Sequence, residues 1–226
     1  MTDDNRDDHA DKTVLAYADV RGADLDDWRM LLRGLHARYR TGGLLAGLRF
    51  ATAIGDAAEE MNHHPDLDVR YPHVNIKLTS HDVGGVTARD LRLARRISEI
   101  AAEQGLRADP GAVQVLELAL DTADLEGVKP FWRAVLGMRD SKDPEEVVNP
   151  GGAVPTLWFQ ETEPHEEPRQ RFHMDITVPP EVAPGRIEAA LAAGGTLVSD
   201  ARAPAFTILA DAEGNKACVC TSEGRD

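Results

Sequence analysis

The chain has 226 residues, 42% of them apolar, and a formal net charge of −14. Such acidity argues against nucleic acid and anionic membrane surfaces as partners, because both are recognised through basic patches. No apolar run approaches the roughly 20 residues that span a bilayer, and the acidic N-terminus MTDDNRDDHADK lacks the apolar core of a signal peptide, so a cytoplasmic protein with a disordered tail over residues 1–12 is expected. The first patterned stretch is Trp28–Thr41. Apolar and polar residues alternate there on both sides of Arg33-Gly34, with Leu35, Ala37 and Tyr39 against His36, Arg38 and Arg40. That period of two predicts a β-hairpin, with His36 on its solvent face. In Leu44–Met61 the period changes. Leu44, Leu48, Ala51, Ile54, Ala58 and Met61 recur at spacings of three and four, the apolar stripe of a helix. Asn62-His63-His64-Pro65 ends it, since the residue before proline avoids helical geometry.

Val74, Ile76 and Leu78 alternate with Asn75, Lys77 and Thr79, which predicts a strand with one buried face. Thr87-Ala88-Arg89-Asp90 has the form of a capping box, with Asp in place of the usual Glu. The helix it opens carries Leu91, Ala94, Ile97 and Ala101 and stops before Gly105. Residues 13–105 thus read as one α+β domain, and 106–112, LRADPGA, as a linker. A second domain over 113–222 starts again with a strand in VQVLELALD. A helix follows over 124–136, with Leu125, Val128, Phe131, Trp132 and Val135 on its apolar face. Further strands are expected at Thr156–Gln160 and Phe172–Val178, a helix at Pro184–Ala193 stopped by Gly194-Gly195, and a closing hairpin around Glu213-Gly214-Asn215. Strand, helix and strands occur twice in order, the mark of an internal duplication. Cys218 and Cys220 lie two apart in a strand and share a face. A bridge between them would be strained, so both read as reduced thiols.

Residues 62–85, NHHPDLDVRYPHVNIKLTSHDVGG, hold four of the eight histidines. Metal binding, proton transfer and chance are the three readings of that concentration. Against metal, adjacent His63 and His64 diverge, and the chain has neither HExxH nor clustered cysteines. Glu59, then HHP, then a tyrosine and an alternating strand, then T-S-H-D-x-G-G-x-T-x-R-D, resemble pterin-4a-carbinolamine dehydratases over residues 47–101, and more loosely back to Trp28. The resemblance implies a small antiparallel sheet with helices on one face and a homo-oligomer. It also implies dehydration of 4a-hydroxytetrahydropterin to quinonoid dihydropterin, a hydro-lyase reaction of tetrahydrobiopterin recycling that uses no metal or cofactor. By position, His63, His64 and His81 match the family's active-site histidines, and Glu59 and Asp90 match acidic residues at the pterin site. An imidazole with a free pKa near 6.5 can give or take a proton at neutral pH. His63 and His81 are expected as acid and base in either order, with His64 and Glu59 holding the pterin and Asp90 orienting a histidine. Glu59 is placed on the helical face of His63, one turn earlier. His73 falls on the polar strand face and reads as solvated, and Tyr71 reads as a packing residue. Where family members carry an aromatic after HHP, this chain has Leu67, in what reads as a loop.

LELALDTADLEGVKPFWRAVLGM, RFHMDITV and LADAEGNKACVC resemble the vicinal-oxygen-chelate domains of glyoxalase-like proteins. That resemblance implies paired βαβββ modules forming a cupped sheet, in which members often chelate a divalent metal. Glu117 and His173 match ligand positions. Gln160 lies near a third where a carboxylate is usual, and Cys218 stands at a fourth in place of Glu. With two good ligands of four, a small-molecule-binding or dimerisation cup is the expectation, and metal-dependent lyase or dioxygenase chemistry the alternative. His165 reads as solvated in an acidic loop, and Trp158 and Phe172 as core, with lining of the cup as the alternative for either. For the first domain the alternative is a pterin- or partner-binding protein without turnover.

Overall fold

A computed structural model describes residues 11–135, 138–152, 154–164, 172–192, 194–210 and 216–225. Residues 1–10 of the tail expected over 1–12, His165 and the turn at Glu213-Gly214-Asn215 lie outside the described residues, as do the side chains of Phe131, Trp132 and Val135; Asp11, within that tail, pairs with Arg92 at 2.7 Å. The chain divides into two compact units between Val113 and Gln114. Among the described residues, no helix is long and apolar enough to cross a membrane.

The first unit runs α1 (Tyr17–Arg21), β1 (Arg29–Leu31), β2 (Gly34–Arg40), α2 (Leu44–Met61), β3 (Asp66–Val69), β4 (His73–Leu78), α3 (Ala88–Glu103) and β5 (Arg107–Ala108). Its antiparallel sheet has the order β1-β2-β4-β3, with β5 also pairing β2. One face carries the core, in which Leu35, Ala37 and Tyr39 of β2 and Val74, Ile76 and Leu78 of β4 pack on Phe50 and Ile54 of α2 and Leu93 and Ile97 of α3. The hairpin forms as its period predicts, with Arg29 opposite His36 and Met30 opposite Leu35.

Three details differ from the sequence reading. The buried face of α2 is Gly47, Phe50, Ile54, Ala57 and Ala58, while Leu44 and Leu48 are exposed. A Cβ at Gly47 would stand 3.3 Å from Val69 Cγ1 and 3.4 Å from Val74 Cγ2. The helix thus meets the sheet at a residue that an apolar stripe does not count. Asp66-Leu67-Asp68 is strand, not loop, since Asp66–Val69 pairs antiparallel with residues 74–77 of β4. Part of the expected linker is also strand: Arg107 and Ala108 pair with Arg40 and Tyr39, and Leu106 and Ala108 pack against the core.

The second unit runs β6 (Val115–Thr122), α4 (Leu125–Val135), β7 (Arg139–Asp140), β8 (Glu146–Val148), β9 (Thr156–Glu161), β10 (Phe172–Thr177), α5 (Ala183–Ala192), β11 (Thr196–Arg202), β12 (Phe206–Ala210) and β13 (Lys216–Cys220). Its strands are ordered β11-β12-β13-β10-β6-β9-β8-β7. The two halves repeat one plan. Each first strand pairs parallel with its own last strand, β6 with β9 and β10 with β13, and the two first strands meet antiparallel at the centre. These are the paired βαβββ modules, with β7, β8 and β11 added to the strands read from sequence. Leu125 and Val128 of α4 pack with Leu118, Leu120, Leu157 and Phe159, and Ile187 and Ala190 of α5 pack with Ile176, Leu209 and Val219. Both helices therefore cover one face, and strand alternation sends Glu117, Asp121, Trp158, His173, Asp175, Cys218 and Cys220 to the other.

Candidate active site

Three segments of the first unit meet at Asp90. Helix α2 ends on Asn62, whose φ of 49° and ψ of 42° are left-handed, a conformation that asparagine tolerates better than branched residues do. The reversal turns His63 inward, where it is buried and its Nε2 lies 2.7 Å from Asp90 Oδ1. Asp90 is fully buried in the first turn of α3 and closes the capping box. Its Oδ2 accepts hydrogen bonds from Thr87 N at 2.7 Å and from Ser80 Oγ at 2.8 Å. The Ser80 and Thr87 hydroxyls are themselves 2.8 Å apart. Burial alone would raise the Asp90 pKa. The hydrogen bonds from His63, Thr87 N and Ser80 outweigh it and hold the carboxyl below its ordinary range. An ionised Asp90 accepts from His63 Nε2–H, which leaves Nδ1 as the nitrogen free to take up a proton.

His64 points the other way. It is exposed, and its Nε2 lies 3.3 Å from Glu59 Oε1, also exposed. Glu59 thus meets His64, not the expected His63, because the left-handed Asn62 breaks the helical spacing before His63 is reached. His81 follows Ser80 directly and is exposed. Arg89 holds Asp82 at 2.7 Å beside it. The structure joins His63 to Asp90, ties the residue before His81 into the same network, and sets Glu59 with His64 outside it. Ser80 went unnoticed in sequence, although it stands inside the T-S-H-D motif. His73 is half-buried on the sheet face away from the core, where desolvation and Arg38 lower its pKa. Tyr71 is exposed instead of packed. His36 is half-buried instead of solvated, and desolvation with the charge of Lys77 pushes it down to about 4.

On the helix-free face of the second unit, His173 lies between two carboxylates. Its Nδ1 is 3.3 Å from Asp121 Oδ1, and its Nε2 is 3.6 Å from Asp175 Oδ1. The Trp158 ring meets the imidazole edge-on at 5.7 Å. Asp175 is buried, directly opposite Glu117 on β6 and Cys218 on β13. Both cysteines are free thiols. Desolvation and then the Asp175 carboxylate raise them, Cys220 to about 12.

Residues 13–100 match the family model described as pterin 4 alpha carbinolamine dehydratase. A relative from Koribacter versatilis, named "Putative pterin-4-alpha-carbinolamine dehydratase", is 40% identical over 76 residues, which are 34% of this chain and 81% of the relative. The chain belongs to the pterin carbinolamine dehydratase family. A relative of the same name from Thermosynechococcus vestitus is 36% identical over 89 residues, 38% of this chain and 94% of the relative. Both fall on the N-terminal part, so the pterin carbinolamine dehydratase unit is the first of the two. Residues 117–220 match the model of a glyoxalase-like domain. A glyoxalase/bleomycin resistance protein/dioxygenase superfamily member from Vibrio splendidus 12B01 aligns with 48% of this chain and 99% of its own at 14% identity, with a TM-score of 0.34.

The glyoxalase-like unit places the remaining residues of the resemblance as follows. Gln160 is exposed, and Trp158 meets His173 edge-on instead of joining the core. Phe172 is exposed. Among the described residues, His173, Asp175 and Cys218 bring potential ligand atoms within 4.8 Å of one another. Asp175 and Asp121 were missed because carboxylates are common in so acidic a chain. Their register beside His173 is the signal that could have picked them out.

Proposed function

We propose that the first unit dehydrates a 4a-hydroxytetrahydropterin to the quinonoid dihydropterin, with imidazoles as acid and base and no metal or cofactor. The observation that carries this reading is the buried His63–Asp90 pair at 2.7 Å. A buried, ionised carboxylate fixes the ring's tautomer and orientation, which a histidine needs for proton transfer and a packing histidine does not. His63 then exchanges a proton through Nδ1, and His81, exposed at the end of the facing strand, supplies the complementary step at the leaving hydroxyl or the ring nitrogen. His64 and Glu59 hold the pterin at the rim.

Family membership supports a pterin as the substrate class. The test is dehydration of 4a-hydroxytetrahydropterin by the purified chain, beside His63→Ala and His81→Ala. The reading requires turnover by the wild type and deep loss in both variants. Pterin binding without turnover would instead support a binding protein. For the second unit we propose a small-molecule site on its helix-free face.

A further inference from the structure

We infer that Ser80 is a positioning residue of the first unit: its hydroxyl holds the Asp90 carboxylate ionised, and through that carboxylate it sets the tautomer and the proton affinity of His63, a role that rests on the dehydration proposed above.

Proton counts fix the direction of the bonds around Asp90. An ionised carboxylate can only accept. Asp90 Oδ1 takes the proton of His63 Nε2 at 2.7 Å. Its Oδ2 takes the Thr87 N–H at 2.7 Å and the Ser80 Oγ–H at 2.8 Å. A hydroxyl carries one proton, so Ser80, having given its own to Asp90, accepts from Thr87 Oγ1 at 2.8 Å. Thr87 Oγ1 in turn accepts from Arg89 N at 3.2 Å. The donors thus run one way, from Arg89 N through Thr87 and Ser80, and end on a carboxylate whose other oxygen faces His63. That polarity selects the ionised carboxyl, and with it the His63 ring that carries its proton on Nε2. Ser80 is only 1% exposed, so neither water nor substrate reaches its hydroxyl.

Ser80 also begins the turn that bears His81. Its N–H donates to Gly85 O at 2.9 Å, and its carbonyl accepts from Gly84 N at 2.7 Å. Arg89 grips Asp82 within that turn at 2.7 Å, and Leu15 N donates to Val86 O just beyond it at 2.8 Å. Val14 covers Gly85 so closely that a Cβ there would lie 2.6 Å from Val14 Cγ1. These contacts hold the main chain of Ser80 in place when its side chain is cut back. One residue therefore ties both proposed proton-transfer histidines to a common carboxylate.

The other charged groups around the pair face elsewhere. Glu59 meets His64 at the end of α2, Asp82 meets Arg89 at the start of α3, and Asp11 meets Arg92 one turn further on; His81 is exposed. Loss of the Ser80 donor therefore acts in one direction. A carboxylate with one donor fewer makes the pair hold a proton more tightly, whether that proton rests on Asp90 or on His63, so the pair titrates at higher pH.

The test uses the full chain, Ser80→Ala and Thr87→Val, with two readouts. Nitrogen-15 NMR of the His63 ring reports its tautomer and its titration without any substrate. Dehydration of 4a-hydroxytetrahydropterin from about pH 5 to about pH 9 gives kcat and KM. The wild-type ring should carry its proton on Nε2. Ser80→Ala should move the titration up by about one pH unit, the worth of a hydrogen bond to a charged group. The limb of the rate profile that reports the pair should move up with it, the acid limb if His63 is the base and the alkaline limb if it is the acid. The kcat should fall about tenfold, with KM within about twofold of wild type. Thr87→Val removes the next donor and should shift both readouts the same way by less; it decides the point if circular dichroism shows Ser80→Ala unfolded. A wild-type ring protonated on Nδ1, or a kcat loss with neither readout shifted, would overturn the inference. A shifted His63 titration in a chain that turns over no pterin would instead remove the dehydratase reading and leave the hold of Ser80 on the pair standing.

Discussion

His63 and His81 predict different outcomes when each is replaced by alanine. Both should slow dehydration by about 10²–10⁴-fold, the usual worth of a positioned acid or base. Only His63→Ala should also unfold more readily, by about 1–3 kcal/mol, because it strips a donor from the buried Asp90 carboxylate. His81 is exposed, so its loss should leave the melting temperature unchanged. Wild-type rates in both variants would remove the mechanism. Acid stability follows from two groups. Asp90 sits below its ordinary pKa, so its contribution is complete above the unfolded value near 4 and fades as pH falls through the folded one. His36 is pushed down to about 4. The unfolded chain takes up that proton from about pH 6.5 downward while the folded one refuses it, so stability falls between about pH 6.5 and 4, by at most about 3 kcal/mol. Urea unfolding of His36→Gln should show a flatter profile in that window. Of the residues at the first site, His63, His64, His81, Glu59 and Asp90 could be found in the sequence because a motif holds them at fixed spacing. The pairing of Glu59 with His64 could not, since it depends on the left-handed turn at Asn62.

Among the elements, α2 and α3 deliver the site by their ends. Asn62 in left-handed geometry ends α2 and turns His63 toward Asp90. Asn62→Gly should therefore be tolerated, whereas Asn62→Val should cost about 1–2 kcal/mol and lower turnover by misplacing His63. Thermal melts and the dehydration assay would show the two effects together. The start of α3 was readable, because the Thr87–Asp90 pattern has a fixed offset and needs no tertiary context. The buried face of α2 was not: several of its apolar residues are exposed, and the sheet selects the face where Gly47 allows close approach. Strands β3 and β11 were missed for a related reason. Leu67 is exposed, and β11 is exposed at all but one position, so neither shows the apolar alternation by which strands are recognised.

At the scale of the whole chain, each unit has its own core. A fragment of residues 1–113 should fold cooperatively and dehydrate 4a-hydroxytetrahydropterin at the rate of the full chain. A fragment stopping at 105 should melt lower, because it loses Leu106 and Ala108 from the core, the β5 pairing with Tyr39 and Arg40, and the bond from Asp109 N to Arg38 O at 2.7 Å. Circular dichroism melts of the two fragments decide the point, and equal midpoints would show that β5 contributes nothing. The division into two parts was visible in sequence because strand, helix and strands recur. What stayed hidden was the strand inside the expected linker, because Pro and Gly in LRADPGA signal a tether even where the chain is still adding a strand. The seam between β6 and β10 carries one more consequence. Had a half-length polypeptide built this sheet by pairing with its own copy, related positions across the seam would have been forced to carry the same side chain. Covalent fusion lifts that constraint. His173 can face Ala119 across the ladder, and a lopsided chemistry can evolve on a scaffold whose two halves share one strand plan.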